Sequence, residues 1–326
     1  MTEQYIRQAS LIVTPQDAPG VDLSALHFKF SIKRGDLQTP NSIDVRVYNV
    51  SDQTIVGITG SKSEAEFSRL ILQCGYGDNV GVLFDGTIKQ FRRGRENATD
   101  TYLDITAADG DRAYNYAVVN TTLAAGSTPD DHVNAALAAM APAPFGITKG
   151  YVPPLPQNRL PRGKVMFGMA RDSIRQVASA QRMNWSIQNG QLQLVPLDSY
   201  IYTEAVVLNS ETGMIGMPEQ TQNGVRVKAL INPQFQSGRA VQIDERSVQR
   251  ARYGLSPQDQ VMQGFIPEVN VTDGIYRILY AEHQGDTRGN EWYSDLICLS
   301  INSAAPPPTI LNKTAVAAPG SVRPFG

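Results

Sequence analysis

Along two long stretches of this chain, every second residue is apolar. In the first, Leu26, Phe28, Phe30 and Ile32 alternate with His27, Lys29 and Ser31. A period of two puts alternate side chains on one face of an extended backbone, so this is a half-buried strand. Ile43, Val45 and Val47 repeat the pattern after the breaker Pro40-Asn41-Ser42, and Leu70, Leu72 and Cys74 do so before Gly75-Tyr76-Gly77. Val82 to Ile88 reads as a strand in which Gly86 marks a bulge or bend. Leu103, Ile105 and Ala107 close the set across a polar loop expected from Arg92 to Thr101. Five or more short strands joined by turns predict an antiparallel barrel or sandwich. The alternation returns from Thr212: Val225–Ile231, Ala240–Ile243, Tyr276–Tyr280 and a final strand from Trp292 to Ile301. Pro40-Asn41-Ser42-Ile43-Asp44-Val45 and Gln222-Asn223-Gly224-Val225-Arg226-Val227 form a faint internal echo, which is consistent with two related barrels.

Between the two stretches the period changes. Ser127-Thr128-Pro129-Asp130-Asp131 is a helix start, with a hydroxyl cap, proline in the first turn and acids at the positive end of the dipole. Val133, Ala136, Leu137 and Met140 then form one apolar face. Residues 141 to 161 are Pro-rich and read as a loop, and a second helix carries Ala170, Ile174, Val177, Ala178 and Gln181 on one side. Asn189-Gly190 between alternating runs is a strong two-residue hairpin signal. The expected organisation is therefore residues 1–114 as a first β-barrel and 115–196 as a small α+β unit of two helices and a hairpin. Residues 197–303 form a second barrel and 304–326 an extended Pro-rich tail. The length of 326 residues exceeds what one core usually serves.

Little catalytic chemistry is legible. Lys+Arg 29 against Asp+Glu 31 leaves a net charge of -2, so no global basic field recruits nucleic acid or an anionic membrane. No run approaches the ~18 apolar residues of a membrane span, and no apolar leader opens the chain. Cys74 and Cys298 are too few for a zinc site or a disulfide framework and read as buried hydrophobes. His27 and His132 are expected to be structural. His283 sits near Glu282, Asp286 and Arg288, and that loop is read as a hairpin whose charges fix its own shape, since two ligands on one loop are too few for a metal. Gly60-Ser61-Lys62-Ser63 lacks the order of a phosphate loop, and Asp109-Gly110-Asp111 lacks the closing Glu of a calcium loop. Arg92, Arg93 and Arg95 make the one dense basic cluster, read as solvated arginines on an exposed hairpin. No cofactor and no enzymatic activity are expected.

The order of several short segments carries more information than any one of them. Phe28-Lys29-Phe30-Ser31-Ile32, Pro40 to Ser51, Cys74-Gly75-Tyr76-Gly77, Leu83 to Ile88 and Ala107 to Asp111 resemble, in this succession, the first domain of phage baseplate hub proteins. Thr212 to Glu219, Leu230-Ile231-Asn232-Pro233 and His283 to Tyr293 resemble the second. The resemblance spans nearly all of residues 20–300. It implies two tail-tube-like antiparallel barrels flanking a small α+β insertion. It also implies a homotrimeric ring of six barrels that adapts a sixfold tail tube to a threefold central spike around a lumen for DNA. The implied partners are copies of the chain itself, the tail tube or its initiator, the spike, the tape measure and baseplate wedge proteins, without membrane insertion. The implied location is the virion, after synthesis in the bacterial cytoplasm, and the absence of a fused lytic domain points to contractile particles.

Candidate interaction loops under this reading carry Arg92, Arg93, Arg95, Asp286, Arg288 and Trp292. Two alternatives compete with it. A tail-borne cell-wall hydrolase would need an acid pair or metal site, for which only the His283 loop offers a start. A carbohydrate- or receptor-binding β module would use Trp185 and Trp292 as exposed stacking platforms, although both are expected in cores.

Overall fold

Alternating patterns become strands where one face can be covered, and that covering begins near the N-terminus. The structure, a computed structural model, describes residues 6–15, 19–59, 68–143, 146–221, 224–243 and 274–300. The first β region contains β1 (Arg7–Thr14), β2 (Val21–Asp22), β3 (Phe28–Gly35), β4 (Ser42–Tyr48), α1 (Asp52–Thr59), β5 (Arg69–Tyr76), β6 (Asn79–Arg95) and β7 (Thr101–Ala108). The middle contains α2 (Asp111–Tyr116), β8 (Val118–Leu123), α3 (Pro129–Met140), β9 (Thr148–Lys149), β10 (Lys164–Met169), α4 (Ala170–Ala180), β11 (Met183–Gln188) and β12 (Gln191–Pro196). The last β region contains β13 (Ile201–Leu208), β14 (Met214–Thr221), β15 (Gly224–Leu230), β16 (Arg239–Ile243), β17 (Ile275–Asp286) and β18 (Trp292–Ser300). Gly60 to Ser63 and the tail 304–326 lie outside the described residues.

Both β regions belong to one 13-stranded sheet, β14-β15-β18-β17-β3-β4-β7-β6-β5-β1-β2, with β16 joining β13 to β17. Two separate barrels were the expectation; among the described residues the ladder is a single open path. The reason is the length of β17. One edge of this strand pairs with β16 from Arg277 back to Ile275, then with β3 from Tyr280↔Gly35 to Asp286↔Lys29, while β18 takes the other edge. A strand this long bridges two sheets by sharing one edge between them.

The apolar faces are buried in three clusters. One gathers Leu11, Phe28, Ile32, Val45, Leu72, Leu103 and Ile105 of the first β region. Another gathers Val133, Ala136, Ile174, Trp185 and Leu194 of the middle. The third gathers Val225, Val227, Tyr276, Ile278 and Leu296 of the last region. Ile231 and Trp292 come from the last region yet pack in the first cluster, where the Trp292 ring meets Phe30 edge-on at 5.6 Å. Gly285 is required there, because a Cβ would lie 2.4 Å from the Phe30 ring.

Local signals behave as physical chemistry dictates. Thr128 caps α3, accepting from the Asp131 N–H while Asp131 accepts from the Thr128 N–H, and Pro129 opens the helix. Asn189 and Gly190 take positive φ of 51° and 72° in the β11–β12 turn. Gly86 is needed for a different reason than a bulge at its own position. A Cβ there would sit 2.7 Å from the Ala108 carbonyl, and the register shifts fall beside it, between Leu72 and Gln73 and between Ile88 and Gln90. Arg92, Arg93 and Arg95 are likewise not in a loop: β6 runs through Arg95, pairing Arg92 with Asp104 and Arg95 with Thr101.

Candidate functional site

Because β17 pairs with β3, the solvated side of the sheet is continuous from β6 to β14. Register places its residues in rows across the strands. One row runs Arg92, Asp104, Arg46, Lys29, Asp286. The next runs Gln90, Thr106, Asp44, Ser31, Gln284, Tyr293. Ser42, Lys33, Glu282, Asp295 and Lys228 follow, then Tyr280, Ile297, Arg226 and Glu219. Cations and carboxylates are equal in number over these rows, so the face is charged throughout and neutral in sum.

Several of these charges pair directly. Asp104 takes Arg46 Nε at 2.7 Å and Arg92 Nη2 at 2.8 Å, and Arg226 lies 3.4 Å from Asp295. Burial works against the Asp104 carboxylate, but the hydrogen bonds from Arg46 and Arg92 win and hold its pKa below the usual range. Arg46 also lies 4.0 Å over the Tyr102 ring and Lys228 3.5 Å over Tyr293. Thr106 donates to Asp44 at 2.8 Å. A groove of about 660 Å³ crosses the first two rows, with Lys29, Arg46 and Arg92 facing Asp44, Asp104 and Glu291.

Of the remaining expected interaction residues, Asp286 lies in the first row of this face, Trp292 is in the core, and Arg93, Arg95 and Arg288 are exposed away from it. Arg93 is tied to Asp52 of α1 at 2.5 Å, and Arg95 is exposed at the end of β6. Asp286 locks the β17–β18 hairpin: it accepts from the Arg288 N–H at 2.9 Å and the Gly289 N–H at 2.8 Å, and meets His27 Nε2 at 2.8 Å. Burial opposes its ionisation, yet those bonds keep its pKa lowered. Arg288 itself is exposed. Trp292 and Trp185 are both buried and offer no stacking platform. His283 faces the core between Ile32 and Ser294, bonds Ser294 Oγ through Nδ1 at 2.7 Å, and is pushed down to about 3 by burial and then by the Arg34 charge. His283 is wholly buried on the core side of the sheet and reaches no substrate at the surface, so the hydrolase reading loses the start that this loop offered. Cys74 and Cys298 are buried free thiols, their pKa raised by burial. Among the described residues no group of His, Cys, Asp and Glu could hold a metal ion, and no described helix is long and apolar enough to cross a membrane.

A buried polar junction escaped the sequence reading. Arg34 donates to the Leu83 carbonyl at 2.8 Å and to Gln188 Oε1 at 3.1 Å, and Asn41 donates to Gln188 Oε1 at 2.8 Å. Gln188 returns a bond to the Gly35 carbonyl at 2.9 Å. Arg277 of β17 ion-pairs with Asp36 and donates to the carbonyls of Pro196 and Ser199. The first β region, the hairpin of the middle and the last β region thus meet through side chains that are nearly all hidden from water. Burial lowers both guanidinium pKa values to about 10. Nothing in the alternation marks these residues, because Arg34, Asp36 and Asn41 stand where strands end and polar side chains are ordinary.

No protein-family model matches the chain, and no curated protein matches it in sequence. Solved structures do match. A tail protein from Neisseria meningitidis superposes with TM-score 0.56 at 10% identity, covering 93% of this chain and 100% of that one. The 43 kDa tail protein of prophage MuSo2 from Shewanella oneidensis gives 0.56 at 8% identity over 90% and 98%. A type VI secretion component of E. coli, itself described as similar to the bacteriophage T4 tail proteins gp27 and gp5, gives 0.54 at 7% identity over 91% and 79%. The chain has the fold of phage tail proteins.

Proposed function

We propose that the chain is the structural hub of a phage-tail baseplate or of a related tail-like particle. In this reading each β region contributes one tube-like barrel, and three copies make a ring of six. The ring meets a sixfold tube on one side and a threefold spike on the other, with tape measure and wedge proteins as further neighbours in a contractile particle. The observation that carries the proposal is the continuous solvated sheet face, shared by both β regions and balanced in charge. We assign this face to the lumen. A polyanion moving past a cationic wall would bind it through counterion release, whereas a wall whose cations and carboxylates balance has no net field to hold it. The fold likeness, which spans at least 90% of this chain in each comparison above, supports a tail structural role. The protein is read as a non-enzyme whose work is done by strand edges and interfaces.

Electron microscopy of the purified protein, alone and bound to its spike, tests the reading. Threefold rings with a central opening are expected. Particles without threefold symmetry or without an opening in both samples would overturn it.

A further inference from the structure

Strands β8 and β10 pair only with each other among the described residues, so each keeps one free edge. Register puts Val118 opposite Met169, Asn120 opposite Phe167 and Thr122 opposite Val165 on one face, which carries no charge. The other face carries Val119 and Met166, both buried in the middle core. On the uncharged face Phe167 is 79% and Val165 72% exposed, and Val118 is exposed with them, as is Tyr116 two residues earlier. A bare apolar strand face of this kind marks a contact surface.

Charge says what covers it. Residues 115–196 carry seven Lys and Arg against three Asp and no Glu, a net of +4 in a chain of net -2. Arg159 and Arg162 stand just before β10 and are exposed. Residues 198–221, which hold β13 and β14, carry Asp198, Glu204, Glu211 and Glu219 and no Lys, Arg or His. All four carboxylates are exposed, and so are Tyr202, Val207, Ile215 and Met217. Strand β14 also ends the large sheet, with one edge free among the described residues. The chain's own β13–β14 segment leaves the β8–β10 face bare, so one that covers it comes from another copy. We propose that the β8–β10 face seats the β13–β14 segment of a second copy of this chain. Apolar side chains meet at the centre of the contact, and the cations before β10 face the carboxylates of β13 and β14 at its rim. The two surfaces differ, so the contact is heterologous, and repeated by rotation it closes a ring. Closure at three rests on the hub reading above; the pairing of these two surfaces is what is added to it.

Sedimentation equilibrium of the full-length protein, alone and with its co-produced spike, tests it. R159E/R162E and E204K/E211K are each expected to weaken assembly at least about tenfold, and the four substitutions combined are expected to restore it. Phe167→Ser is expected to weaken it by at least about tenfold as well. All these side chains are exposed, so the fold does not depend on them. A parent that assembles while no variant changes its assembly overturns this contact and leaves the ring reading standing. Weakened assembly that the combined variant does not restore also overturns it, and assigns the face to a different protein. A parent that stays monomeric in both samples overturns the contact and the ring reading together. If Phe167→Ser fails to fold, the charge reversals still decide.

Discussion

The ion pair between Asp36 and Arg277 joins the first β region to the last, and its removal is the most informative perturbation of the fold. The two side chains are 1% and 3% exposed, so neither charge can turn to water if the other is lost. Asp36→Ala leaves Arg277 buried with only the Pro196 and Ser199 carbonyls for company. Breaking a buried pair from one side costs about 3–5 kcal/mol, a fall of about two to four decades in the folding constant. Arg277→Met should cost a similar amount, because Asp36 is stranded and two carbonyls lose their donor. The double variant, Asp36→Ala with Arg277→Met, removes both charges and is expected to lose at least about 2 kcal/mol less than the two singles together. Urea titration followed by tryptophan emission reads this well, since Trp185 lies in the middle core and Trp292 in the first. A coupling below about 0.5 kcal/mol, or an Asp36→Ala variant within about 1 kcal/mol of the parent, would refute the idea that this pair holds the junction.

Three further outcomes follow from single residues. Because burial depresses His283 to about 3, its contribution is present above pH 6.5 and is lost as the pH falls toward 3. H283Q should therefore lose less stability than the parent between pH 6.5 and 4.5, by up to about 1.4 kcal/mol per unit, in urea midpoints taken at each pH. Gly285→Ala forces a methyl against Phe30 and should cost about 1–3 kcal/mol in thermal unfolding. Cys74 and Cys298 should resist a thiol reagent in the native protein and react together in urea, since both are buried and their thiolates disfavoured.

How far the sequence foretells the fold can be argued residue by residue. The alternation around Phe28, Val45 and Ile105 locates strands because one face of each is covered by apolar neighbours. Thr128 and Asn189-Gly190 are legible because caps and tight turns depend on local hydrogen bonds and on φ. The joining of β17 to β3 is illegible. It pairs segments some 250 positions apart, and docking of Trp292 and Ile231, rather than any local preference, sets the register. Arg92 to Arg95 looked like loop residues from their charge, but Asp104 opposite them and Tyr102 beside Gly94 extend the ladder. Helix α1 was missed because Ile55, Val56 and Gly57 are weak helix formers; the Ser51 hydroxyl, accepting from the Thr54 N–H at 3.1 Å, starts it. The balanced face could be seen only once register was known, since its rows draw on strands from both halves of the chain.

Light scattering of the purified protein, with and without its co-produced spike, tests the ring most directly. The account predicts a mass near three times the 35.6 kDa chain, alone or on the spike. A monomer in both samples at tens of micromolar would contradict it.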